Sequence, residues 1–120
     1  MLAKILIVDD AMFMRTKLKD TLESAIPCEC LEAKNGQIGC ELFETMHPDL
    51  VLLDISMPVM DGIRALDIMR KHDKTIPIIM CSAAGQQSQI MKAIALGAKD
   101  FIVKPFQNEQ IINAVKRYLK

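Results

Sequence analysis

A chain of 120 residues, half hydrophobic and a quarter charged, is large enough for a hydrophobic core of its own and is read as a single domain over residues 1–120. Lys plus Arg balances Asp plus Glu at 15 each, which argues against broad electrostatic binding of nucleic acid or an anionic membrane. No apolar run reaches the length of a membrane span, so no membrane insertion is expected.

The N-terminus runs straight into an apolar strand, Lys4 to Val8, that stops at Asp9-Asp10. No signal peptide is expected there, and a cytoplasmic location follows. Met14, Leu18 and Leu22 recur every four residues, as on one face of an amphipathic helix closed by Pro27. Cys28 to Ala33 reads as a weaker second strand near a sheet edge. Cys28 and Cys30 are expected on opposite faces of it, and all four cysteines (with Cys40 and Cys81) as free thiols in a reducing compartment. Asn35 is an N-cap candidate for a helix to Met46, which His47-Pro48 stops.

Leu50 to Leu53 is fully apolar and ends in Asp54, the pattern of a buried parallel strand that leaves the sheet at a carboxylate. A loop from Pro58 to Gly62 leads into a helix ending near His72. Ile76 to Cys81 reads as a fourth strand, followed by a small-residue loop from Ser82 to Gly85. Gln86 to Leu96 reads as a fourth helix with Gly97 as its cap, and Phe101 to Val103 as a fifth strand ending in Lys104-Pro105. Phe101 is expected in the core as well as at the site. A last helix carries Ile111 and Val115 on its buried face, and exposed members such as Met91 or Ile112 are free to meet partners.

Five strands alternating with five helices predict an α/β fold, a doubly wound (βα)5 unit with a five-stranded parallel sheet of order 2-1-3-4-5. That order sets the first and third strands side by side. Asp9, Asp10 and Asp54 then meet in the crevice at their carboxyl ends, with Ser82 and Lys104 on the same rim. Two like charges about 4 Å apart cost roughly 4 kcal/mol at an effective dielectric near 20. Protonation, Lys104 or a divalent cation must offset that, and hard oxygen ligands suit Mg²⁺. An aspartate beside such an ion, with a fixed ammonium opposite, can accept a phosphoryl group, giving a labile mixed anhydride.

The motifs Ile7-Val8-Asp9-Asp10, Leu53-Asp54-Ile55-Ser56-Met57-Pro58, Asp61-Gly62, Cys81-Ser82-Ala83 and Phe101-Ile102-Val103-Lys104-Pro105-Phe106 occur in this order along the whole chain. Together they resemble the receiver domains of response regulators, in particular the stand-alone chemotaxis type. Such receivers are themselves a type example of the flavodoxin-like 2-1-3-4-5 order, so the topology is not independent support for the resemblance.

The resemblance implies Asp54 as phosphoacceptor, Asp10 as direct Mg²⁺ ligand, Asp9 acting through water, and the main-chain carbonyl of Ser56 as the third protein ligand. It implies Ser82 as switch hydroxyl, Lys104 as phosphate-binding lysine, and a cis Lys104–Pro105 bond. It also implies a histidine kinase as phosphodonor, and a flagellar switch protein and a phosphatase as partners. These would be met on the face of the fourth helix, fifth strand and fifth helix. Phe101 stands at the aromatic switch position, where chemotaxis relatives often carry Tyr, and would swing inward into space vacated as Ser82 moves toward the phosphoryl group; Ser56 stands where Asn is common. Ser56 would face incoming water. The expected role is a binding switch and not an enzyme acting on other substrates; the alternative is a single-domain receiver in a phosphorelay or sporulation-type pathway. A haloacid-dehalogenase-like phosphohydrolase would need a second Asp where Ser56 stands, and a flavin carrier would need a phosphate-cradling loop where Asp9-Asp10 stand.

Overall fold

A computed structural model describes residues 2–119 as five parallel strands, β1 (Ala3–Val8), β2 (Cys28–Ala33), β3 (Leu50–Asp54), β4 (Ile78–Ala83) and β5 (Asp100–Lys104). They alternate with five helices, α1 (Met12–Ala25), α2 (Gly36–Met46), α3 (Gly62–His72), α4 (Gln87–Ala95) and α5 (Asn108–Tyr118). The strand order is β2-β1-β3-β4-β5, as the βα alternation predicts.

Side chains alternate across a strand, so each central strand feeds two cores. Ile5 and Ile7 of β1, Leu50 and Leu52 of β3, and Ile79 and Cys81 of β4 pack under α1 and α5 against Leu18, Leu22, Ile111 and Val115. Leu6, Val8, Val51, Leu53, Ile78 and Met80 face the other way, under α2, α3 and α4 against Phe43, Leu66, Met69 and Ile90. β1 and β3 are adjacent, with Val8 paired to Leu53, and β3 and β4 are adjacent, with Asp54 paired to Cys81.

The helices begin and end where their local chemistry dictates. The Asn35 side chain accepts from the Ile38 amide at 2.9 Å, capping α2 as the sequence suggests. Asp61 does the same for α3 through the Arg64 amide, also at 2.9 Å. At the end of α4, Gly97 adopts φ +109°, its N–H donates to Ile94 and the next N–H, of Ala98, donates to Ala93. These paired bonds close the helix in a Schellman turn that a residue with a Cβ would enter only under strain.

Four expectations need correction. Cys28 and Cys30 are both buried in the α1/α5 core and lie on one face of β2, as residues two apart on a strand must. Ser82 and Ala83 belong to β4 and not to a loop, because β5 extends the ladder to them by pairing with Val103 and Lys104. Phe101 is 42% exposed and not part of the core: it pairs with Met80 on the edge strand, where α4 leaves it uncovered. Ile112 is half-buried against the α1/α5 core, whereas Met91 is exposed as expected. All four cysteines are free thiols, and burial pushes Cys81 up to about 12, which leaves it unreactive.

Candidate functional site

The alternation that divides the core also divides the rim. Asp54 follows Leu50 and Leu52 in parity, and Lys104 follows Ile102, so both emerge on the α1/α5 side. Asp9 continues β1 beyond Ile5 and Ile7 on the same side. There the three meet: Lys104 Nζ lies 2.9 Å from Asp9 Oδ2 and 3.4 Å from Asp54 Oδ1. Asp9 and Asp54 are buried, while Asp10 is exposed. Each of Asp9, Asp10 and Asp54 nevertheless offers a carboxylate oxygen within 4.8 Å of the other two.

Asp9 is held from several directions. Its Oδ1 accepts from the Ala11 amide at 2.9 Å, its own N–H donates to Ala33, and its carbonyl accepts from Arg15 at 2.7 Å. Both side-chain oxygens therefore already have protein partners, which suits a residue that reaches a cation through water.

Asp54 is the strained member. Burial pushes its carboxyl up to about 6; Lys104 works against that rise, and the charges of Asp9 and Asp10 add to it. Burial also works against the charged form of Lys104, but its hydrogen bond to Asp9 and the charges of Asp54 and Asp9 outweigh that, and its pKa rises. Protonation and the lysine thus both serve to relieve the repulsion between the acids. Near neutrality Asp54 is therefore mostly ionised.

The main chain behind Asp54 is closely packed. A Cβ at Gly62 would collide with the carbonyl oxygen of Asp54, so only glycine lets α3 start there, and the Gly62 N–H donates to Ile55 at 2.7 Å. Between them the loop turns sharply. Val59 has φ +69° and the Met60 N–H donates to Pro58, giving a γ-turn that is costly for a β-branched residue.

The other side of the rim is different. Ser82 follows Met80 in parity and faces the α2–α4 side. Its Oγ is fully buried and has no hydrogen-bond partner, the one such side-chain atom among the described residues. Phe101 and Val103, also on that face of the sheet, stand exposed. Lys104–Pro105 is cis, as the resemblance implies. Ser56 lies in the exposed loop after β3, in a depression shared with Ile55, Met57, Asp61, Gln86 and Gln89. The sequence gives Gln86 no site role: nothing in its neighbourhood announces that its carboxamide reaches Ser56 across the rim.

Comparison with known proteins agrees with this geometry. A family model described as the response regulator receiver domain matches residues 5–116. The chain belongs to the response regulator receiver family. This receiver is 50% identical to the chemotaxis protein CheY of Bacillus subtilis over 116 residues, 97% of each chain. It is 46% identical to CheY of Listeria monocytogenes over 117 residues, 98% of each. Among solved structures, chemotaxis protein CheY4 of Vibrio cholerae superposes with a TM-score of 0.92 at 29% identity, covering 99% of the receiver and all of CheY4.

The donor set of the receiver fits a hard divalent cation. Its three acids are oxygen ligands, one of them exposed and accessible, and no soft ligand stands among them. When bound, such an ion supplies positive charge opposite the oxygens of an incoming phosphoryl group.

Proposed function

We propose that this receiver takes a phosphoryl group from a histidine kinase onto Asp54 and uses it to switch protein–protein binding, most simply as the chemotaxis response regulator acting on a flagellar switch protein. The observation that carries this reading is the convergence of Asp9, Asp10 and Asp54 within 4.8 Å, with Lys104 Nζ at 2.9 and 3.4 Å from two of them. An Asp54 oxygen forms the new P–O bond as the donor's P–N bond breaks, and the leaving imidazole keeps the electron pair and takes up a proton. Lys104 is within reach of one phosphoryl oxygen, and the orphaned Ser82 hydroxyl is free to donate to another. Asp10, Asp54 and the Ser56 carbonyl would hold Mg²⁺ directly, with Asp9 contributing through water.

The output face would be the groove of about 320 Å³ lined by Ile90, Met91, Ile94, Phe101 and Val103 between α4 and β5. Four of its apolar side chains are exposed, at the place where the family resemblance sets partner contacts. The reading carries with it a cytoplasmic location, a phosphatase partner and no turnover of external substrates. Among the described residues, no helix is long and apolar enough to cross a membrane.

The test is incubation with a small acyl phosphate and Mg²⁺, followed by mapping of the labelled residue. One acid-labile, base-labile phosphoryl group on Asp54, lost in Asp54→Asn, is the expected result; labelling retained in that variant would assign the acceptor elsewhere. Capture of partners with and without beryllium fluoride separates a flagellar switch protein from a phosphorelay transferase.

A further inference from the structure

Gln86 occupies the N-cap position of α4 and does not cap it: its side chain makes no bond to the helix's first amides. The carboxamide is spent elsewhere. Its Oε1 accepts from the Ala83 N–H at 2.7 Å, which fixes the orientation of the amide, and its Nε2 donates to Ser56 Oγ at 2.7 Å. One side chain thus ties the loop that follows the phosphoacceptor to the last residue of β4, immediately after the orphaned Ser82 hydroxyl. Residues 56 and 86 are 30 apart in sequence, and among the described residues this is the one side-chain hydrogen bond between those two outlets. Gln86 also lines the depression over Ile55 and Ser56.

We propose that Gln86 is a positioning residue that holds the Ser56 hydroxyl across the mouth of the phosphoacceptor and thereby slows hydrolysis of the aspartyl phosphate. The inference rests on Asp54 being the acceptor. In this bond Gln86 Nε2 donates and Ser56 Oγ accepts, so the bridge fixes the serine rotamer and turns the hydroxyl's own proton away from the carboxamide. Ser56 is two residues beyond Asp54, and a hydroxyl held in one rotamer there would screen the acceptor from the approach of water on the side of this depression. Release of the carboxamide opens that approach and leaves the Ala83 N–H without its protein partner.

The experiment measures the first-order loss of phosphate from protein labelled with a small acyl phosphate, after removal of the donor, in wild type, Gln86→Ala, Gln86→Met, Ser56→Ala and the double variant Gln86→Ala/Ser56→Ala. Gln86→Met keeps the length of the side chain and loses both hydrogen bonds. Expected are a rate constant at least threefold above wild type in Gln86→Ala and Gln86→Met, and no further change when Gln86→Ala is added to Ser56→Ala. Unchanged rates in the single Gln86 variants overturn the proposal, and so does a Gln86 effect that survives undiminished in the Ser56→Ala background. Wild-type protein that takes no label on Asp54 overturns instead the reading beneath it, so the two failures are distinguishable.

Discussion

On the α1/α5 side of the sheet the rim ends in Asp9, Asp54 and Lys104, whose charged atoms stand 2.9 and 3.4 Å apart. On the α2–α4 side it ends in Ser82, whose buried hydroxyl has no partner, and beyond it Phe101 stands exposed. The first half is assembled before any ligand arrives, so it can contribute positioning and electrostatics without reorganisation. The second is unfinished. A buried hydroxyl left unpaired costs about 1–3 kcal/mol; on the proposed reading, a phosphoryl oxygen accepting from it would recover that cost only in the modified state, and the difference in finish would separate binding from signalling. Moving a population from 1:99 to 99:1 needs about 5.5 kcal/mol, more than one such contact supplies, so a partner on the α4–β5 groove is expected to complete the shift.

Lys104 is where the acid side is most vulnerable. Lys104→Met leaves two buried acids facing each other and should lower stability by about 2–3 kcal/mol at pH 7, with part of the loss recovered on acidification, as read by urea denaturation. No loss at pH 7 would mean that the acid side is not preassembled around the lysine. Asp54→Asn should do the reverse. In the fold Asp54 keeps its proton up to about pH 6, whereas in the unfolded chain it gives it up near 4, so the folded state binds the proton more tightly. Stability of the metal-free protein should therefore fall as pH rises from about 4 to 6 and stay lower above that. Asp54→Asn should remove this slope and gain about 1–2 kcal/mol at pH 7, less than the full shift implies because the carboxylate keeps some solvent access.

Mg²⁺ at ten times its dissociation constant should add about 1.4 kcal/mol to the wild type in a thermal melt, and nothing in a variant carrying Asp10→Asn. The smallest effect belongs to the unfinished side: Ser82→Ala should stabilise the resting protein by about 1 kcal/mol while weakening the response of Phe101 NMR shifts to beryllium fluoride. A destabilised Ser82→Ala would show that the hydroxyl already has a partner.

Much of this was legible in the chain. Continuous apolar runs at Ile5–Val8 and Leu50–Leu53, each stopped by a carboxylate, announce buried parallel strands, and βα alternation leaves few ways to order them. The meeting of Asp9, Asp54 and Lys104 follows from that order. What was not legible depends on neighbours in space. Ser82 and Ala83 have little strand propensity of their own and extend β4 because β5 lies beside them. Phe101 reads as core by residue type, and only the edge position of β5 exposes it. The shared face of Cys28 and Cys30 needed no structure, since a period of two settles it. The Gln86 bridge spans two loops, and no local pattern encodes such a pair.

The far end of α4 is anchored more firmly than the near one. Arg70 of α3 donates to the Gly97 carbonyl at 2.9 Å and to the Ile76 carbonyl at 2.6 Å, and a Cβ at Gly97 would crowd that guanidinium stem. A nine-residue helix is about 13 Å long. Its tail is fastened to α3, while the side-chain hydrogen bonds at its head run through the single carboxamide of Gln86. A rod held this way is expected to pass a small rearrangement at the rim to the exposed Met91 and Ile94 as a tilt about its tail and not as a slide.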